Sequence, residues 1–324
     1  MITSVKFDFN KSIATRWLLM GLLRMKGSIG IERFLKTLPD SKECLLNLFE
    51  AKHGGRSCNK CGAEESYHLV KGRKCFQCKK CLIQIYPLKG TIMENSKTDI
   101  RKWLVAVFLM SKSKSGYSAK RMAEDIDVSY KCAWRICRLI RKAMSTDEIK
   151  DLDGIVEIDE TYIGGKFHGF YSHSNKTAVL GICQRKGKIK TFVIKSASEK
   201  NVLPLILATV SSGTLICTDE HSCYRNLNKH GYRHETVKHK DREWVRNGIT
   251  TNRIENCWSR LKNSIRGTYI RIRETNNPKE PTLEYYLAEY DFRHNHRNET
   301  NVGKFLKLTG LIGFNLEHHF IPDI

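Results

Sequence analysis

Two groups of residues in this sequence have types and spacings suited to chemistry. The first is Cys58-x2-Cys61, sixteen intervening residues, then Cys78-x2-Cys81. A C-x2-C turn sets two thiolates on one side of a tight loop, and two such loops facing each other fill the four positions of a tetrahedral Zn2+ site. A closed four-thiolate site leaves no place for water, so its expected role is structural. Cys75 sits just before the second pair, whose register makes Cys78 and Cys81 the better partners, and it is expected not to be a ligand. The cations of KGRKCFQCKKC favour thiolates and also suit phosphate.

The second group is acidic. In IVEIDETYIGGK, alternation from Ile155 puts Glu157 and Asp159 on one face of a strand. TLICTDEHSCY delivers Asp219 at the end of an apolar strand, where α/β sheets place functional groups. TNRIENCWSRLKNSIRGTY reads as a helix with the apolar stripe Ile254, Trp258, Leu261 and Ile265, opposite a row of Asn252, Glu255, Ser259 and Lys262. Parallel pairing of the two strands brings Asp219 near Asp159, and the helix aims Glu255 at the strand ends. Three convergent carboxylates suit two Mg2+ or Mn2+ ions, which clamp the attacking and leaving oxygens of a phosphodiester substitution. Glu157, Asn252 and His239 of VKHKDREWV are expected to support that centre, and Lys262 to contact DNA phosphate.

The elements that must position these groups follow from pattern and composition. Residues 1–55 carry helical periodicity, with Ile13, Trp17, Met20 and Leu23 in register. Residues 56–96 hold the cysteine cluster. Residues 97–146 are helical again: an apolar helix from Ile100 to Met110, then helices Ser118–Ile126 and Ser129–Met144 joined at Asp127-Val128. That last pair has helix-turn-helix proportions, with Ala123, Val128, Trp134 and Ile136 as its apolar residues. Tyr130, Lys131, Arg135, Arg138, Arg141 and Lys142 are expected outside, with Lys131, Arg135, Arg138 and Lys142 as the DNA contacts. Residues 152–300 show short β-type runs, a helix and another strand, the pattern of an α/β catalytic sheet domain. Residues 301–324 are expected to be a C-terminal tail.

Lys and Arg number 56 against 34 Asp and Glu, a formal charge of +22 that favours a polyanionic partner. A hydrophobic content of 40% with only 6 prolines argues for a folded chain. The longest apolar run, Trp103–Met110, is too short to span a bilayer, and MITSVKFDFNK lacks a secretory pattern. An intracellular protein without a membrane partner is expected. The seven cysteines scattered outside the cluster are expected to pack as small apolar groups.

Together these stretches resemble DDE transposases of the Merlin superfamily and related bacterial insertion sequences. The resemblance rests on CNKCG with FQCKKC, GTIMENSK with Trp103, VEIDETYIGGK, TDEHSCY, TNRIENCWSRLKNSIRGTY and YDFRHNHR, in the family's order from residue 58 to about 297. It implies a zinc ribbon and an RNase H-like catalytic domain, with Asp159, Asp219 and Glu255 as the catalytic triad and Lys262 as the basic residue that follows. It also implies double-stranded DNA as partner, with transposon terminal inverted repeats bound by a homo-oligomer, and no small-molecule substrate. The setting would be the nucleus in a eukaryotic host and otherwise the cytoplasm with the nucleoid. The chain departs from the family pattern at Glu220, where glycine is usual, and at Thr250, where histidine is usual. The complete triad favours an enzyme over the alternative, a catalytically inactive or domesticated DNA-binding regulator.

Overall fold

The computed structural model describes residues 28–164, 176–237, 250–270, 272 and 282–313; His239 and the Ile13–Leu23 periodicity lie outside them. Helices α1 (Ile31–Thr37) and α2 (Ser41–His53) precede strands β1 (Tyr67–Leu69), β2 (Phe76–Cys78) and β3 (Gln84–Ile85). Helices α3 (Ile100–Lys112), α4 (Ala119–Asp125) and α5 (Tyr130–Met144) follow, then β4 (Ile155–Ile163), β5 (Thr177–Gln184) and β6 (Ile189–Ile194). The remainder is α6 (Glu199–Thr209), β7 (Leu215–Thr218), β8 (Arg233–Thr236), α7 (Asn252–Ser264), α8 (Leu283–Asn295) and α9 (Asn301–Leu311). Two compact units result. The described residues of Met1–Ser113, Ala119–Ala143 and Glu299–Ile324 form one, and those of Lys114–Ser118 and Met144–Asn298 the other.

In the first unit, β1, β2 and β3 make a small antiparallel sheet. The Phe49 ring of α2 stacks on Phe76 of β2 at 4.4 Å between centroids. Phe34 of α1 lies 4.0 Å from Phe108 of α3 and 5.1 Å from Phe305 of α9. The stretch expected as a tail therefore begins with a helix. The Thr300 hydroxyl caps it by accepting from the Gly303 N–H at 3.0 Å, and it buries Val302, Phe305, Leu306 and Leu308. The pair α4 and α5 turns at Asp127, whose φ of 48° is left-handed; the Lys102 ammonium donates to the Asp127 carbonyl at 2.5 Å and holds that turn on α3.

The second unit is a five-stranded sheet in the order β6-β5-β4-β7-β8, antiparallel from β6 through β4 and parallel from β4 through β8. Alternation along the strands sorts the core into two layers. Val156, Ile158, Leu180, Ile182 and Ile216 pack with Val202 and Ile206 of α6; Val179, Cys183 and Ile189 pack with α7 and α8 through Ile254, Trp258, Leu261, Leu283 and Leu287. A mixed five-stranded sheet with a helix layer on each face is compatible with the RNase H-like architecture that the resemblance implies.

Candidate active site

Strand β4 carries the candidate residues Glu157 and Asp159. Its last parallel pair with β7 is Glu157 opposite Cys217, so two residues further on Asp159 runs alongside Asp219 at the end of β7. The two carboxylates act on each other electrostatically. Burial pushes the Asp159 carboxyl up to about 7, with the negative charges of Glu160 and Asp219 adding to it and a hydrogen bond from Trp258 opposing. That bond, from the indole Nε1 to Asp159 Oδ2, is 2.9 Å. It fixes the carboxylate against α7, where Glu255 stands one turn before Trp258. Glu255 is exposed, and its Oε1 accepts from the Thr251 hydroxyl at 3.0 Å. Lys262 is half-buried two turns along, while Asn252 and Ser259 are exposed, as the opposite row requires.

Trp258 reaches Asp159 because the residue opposite Asp159 on β5 is Gly181. A Cβ built there would lie 2.5 Å from Trp258 Cη2 and 2.8 Å from Ile254 Cδ1. A lone glycine inside a strand marks such a close approach. The glycine of VLGIC is thus the sequence signal for this contact, which alternation alone does not reveal.

Glu157 is engaged with the helix that carries Glu255. It is fully buried. Its Oε1 pairs with Arg185 at 3.0 Å, and its Oε2 accepts from the backbone N–H groups of Arg253 and Ile254 at 2.8 and 3.1 Å. It therefore caps the N-terminus of α7 from the sheet and fixes the turn that presents Glu255. On the opposite face of β4, Glu160 Oε2 accepts from the Tyr224 hydroxyl at 2.5 Å, and His221 Nε2 lies 3.9 Å from Glu160 Oε1. Burial raises the Glu160 carboxyl, with the Asp219 charge acting in the same direction.

In the other unit, the four cluster sulfurs lie within 4.8 Å of one another, with Cys58 to Cys81 at 3.5 Å and Cys61 to Cys78 at 3.7 Å. Tetrahedral Zn2+ with bonds of about 2.3 Å requires sulfurs about 3.8 Å apart, so this four-cysteine cluster could bind zinc. The two knuckles repeat one backbone pattern. The Cys58 carbonyl accepts from the Gly62 N–H and the Cys78 carbonyl from the Leu82 N–H, each with the later residue at left-handed φ. A hydrogen bond from the Tyr67 hydroxyl leads the lowering of the Cys58 thiol to about 6. Cys75 is buried and stands outside the cluster.

On α5, Lys131, Arg135 and Lys142 are exposed and Arg138 half-buried. Two expectations need correction. Trp134 is 42% exposed, with the Arg138 guanidinium 5.5 Å from its ring centroid, whereas Arg141 is buried. Helical rotation explains both. Ala133, Ile136, Cys137 and Ile140 form the buried stripe; Arg141 lies one turn beyond Cys137 on that stripe, and Trp134 falls outside it. Among the described residues no helix is long and apolar enough to cross a membrane.

Residues 151–295 match the ISXO2-like transposase domain. The chain is also 26% identical over 223 residues to a Halobacterium salinarum protein described as an uncharacterized protein in transposable element ISH50, an overlap of 62% of this chain and 74% of that one. The resemblance to insertion-sequence transposases is thereby borne out, with residues 151–295 similar to the ISXO2-like transposase domain.

Proposed function

We propose that this chain binds the ends of an insertion element as a homo-oligomer, and that Asp159, Asp219 and Glu255 hold two divalent metal ions for DNA cleavage and strand transfer. The observation that carries this reading is the crowding at Asp159: a half-buried carboxyl, raised by burial and by two neighbouring carboxylates. Of those two, Glu160 lies on the other face of β4, and it is the like charge of Asp219 beside Asp159 that a hard cation would offset. Mg2+ or Mn2+, when bound, supplies polarisation of the attacking and leaving oxygens of the scissile phosphodiester.

The chain's own residues do the rest. Trp258 orients Asp159, and Glu157 holds α7 so that Glu255 and Lys262 project along one helix row. Lys262 neutralises substrate phosphate, which lowers the charge repelling an approaching hydroxyl. No protein nucleophile is required, so hydroxyl side chains near the triad are not needed for covalent catalysis. Lys131, Arg135, Arg138 and Lys142 on α5 contact the DNA, and Zn2+ on Cys58, Cys61, Cys78 and Cys81 stabilises the small sheet.

Cleavage of element-end DNA by the full chain tests the proposal. Asp159→Asn, Asp219→Asn and Glu255→Gln should each abolish cutting while leaving DNA binding in place, and Lys262→Ala should reduce it less. Wild-type rates in any one of the three carboxylate variants remove that residue from the centre; cutting that persists in chelator discards the mechanism.

A further inference from the structure

A second cluster of metal-binding residue types lies in the apolar layer beneath α7 and α8, and nothing proposed above uses it. Cys183 comes from β5, Cys257 from α7 and His294 from α8. Cys183 Sγ is 4.0 Å from Cys257 Sγ, and Cys257 Sγ is 4.0 Å from His294 Nδ1. All three donor atoms lie within 4.8 Å of one another. Relative exposure is 0% at Cys183, 1% at Cys257 and 6% at His294.

Packing accounts for two buried thiols, which behave as small apolar groups. It does not account for the imidazole. Among the described residues, His294 Nε2 is buried with no hydrogen-bond partner, and Nδ1 meets the Cys257 sulfur at a distance too long for a strong bond. The nitrogen that faces the sulfurs, Nδ1, has no strong bond of its own to make there and is placed to act as a third donor beside the two thiols.

We propose that Cys183, Cys257 and His294 bind one Zn2+ ion that joins β5, α7 and α8. Two sulfurs and an imidazole are the borderline-soft donors that Zn2+ prefers, whereas Mg2+ and Ca2+ take oxygen. With bonds of about 2.3 Å to sulfur, a single ion can bridge sulfurs at the observed spacing. Charge decides between metals. Two thiolates and a neutral imidazole cancel a divalent ion, so the site is neutral in its apolar layer, while Cu+ would leave a buried negative charge. Three protein donors leave the fourth position of a tetrahedral ion to a water molecule, and the ion would fasten the helix that carries Glu255 and Lys262. This zinc site is independent of the activity proposed for those residues.

Zinc content of the purified full chain tests this, because the ribbon cluster and this one can be removed separately. Wild type should hold two zinc ions per chain, and Cys257→Val and His294→Phe should each lose one. Cys78→Ser with Cys81→Ser should keep one, and Co2+ loaded into that protein should give a thiolate-to-cobalt absorption band that Cys257→Val abolishes. A wild type with one zinc that is lost in Cys257→Val supports this site and sinks the ribbon instead. The proposal is overturned if zinc content is the same in wild type, Cys257→Val and His294→Phe, or if mass spectrometry finds Cys183 and Cys257 joined as a disulfide. His294→Phe keeps an aromatic ring in the layer, so it carries the comparison should the cysteine variant fail to fold.

Discussion

Replacing Gly181 by alanine has an outcome whose sign separates two explanations of that residue. At an ordinary strand position the change stabilises, because glycine forfeits about 0.5–1 kcal/mol of chain entropy relative to alanine. At Gly181 the added Cβ would sit 2.5 and 2.6 Å from two carbons of the Trp258 ring and 2.8 Å from Ile254 Cδ1. Ile254 Cδ1 ends a side chain that can rotate; the Trp258 ring is held at its edge by Asp159 and has less room to give. Overpacking of this kind costs about 1–3 kcal/mol. The displaced indole also loses its grip on Asp159, and misplacing a reacting group by about 1 Å costs on the order of a hundredfold in rate.

The expected result is a domain destabilised by about 1–3 kcal/mol and cleavage slowed by one to two orders of magnitude, by the same reasoning. Trp258→Leu removes the ring atoms that clash, so in that background Gly181→Ala should be near neutral, leaving a coupling of about 1–2 kcal/mol. Native-state hydrogen exchange of the β4 and β5 amides is the suitable readout, since a chain with two compact units need not unfold in one step. A stabilising Gly181→Ala, or a cost undiminished in the Trp258→Leu background, refutes the reasoning.

Three further outcomes are expected. Burial pushes the Asp291 carboxyl up to about 7, although it accepts from the Thr191 N–H at 3.0 Å; the native state then holds its proton more tightly than the unfolded chain. Its contribution to stability is complete below about pH 4 and lost as pH rises through about 7, with an upper bound on the order of 4 kcal/mol. Asp291→Asn should flatten that decline in denaturant midpoints, and parallel pH profiles would sink the assignment. Glu157→Ala should cost about 1–3 kcal/mol by leaving the first amides of α7 without their acceptor; Glu157→Gln, which can still accept from those amides, should cost less in the same unfolding assay. Cys75→Ser should retain the full zinc content of wild type, since its thiol stands outside the four-sulfur cluster; loss of an ion in that variant would redraw the ligand set.

What is legible in the sequence is what depends on neighbours within a turn or a strand. The four cluster cysteines, the alternation that puts Glu157 with Asp159, and the row of Glu255 and Lys262 along α7 all follow from local period. Helix α9 escapes such a reading because VGKFLKLTGL is short, and its apolar residues become a buried face only when Phe305 meets Phe34 and Phe108 from far earlier in the chain. Strand β8 escapes it for a related reason: Arg-His-Glu-Thr has no apolar alternation, and only pairing with β7 makes it a strand.

The residues that position the candidate centre belong to this second class. Trp258 finds Asp159 across 99 positions of sequence, and Glu157 caps a helix 96 positions away. Periodicity can say that a carboxylate faces a helix, but not whether it meets a metal, an indole or an unsatisfied amide. That distinction decides function here. Glu157 and Asp159 share a strand face and a charge, yet Glu157 is fully buried and its oxygens are occupied by Arg185 and two backbone N–H groups. Asp159 has the indole as its side-chain donor and two acidic neighbours, which leaves it the oxygen capacity that the proposed metal ions require. The same carboxylate chemistry, two residues apart, thus divides into an anchor for the helix and a carboxyl held by an indole beside a second acidic strand end, according to what the folded chain brings opposite each one.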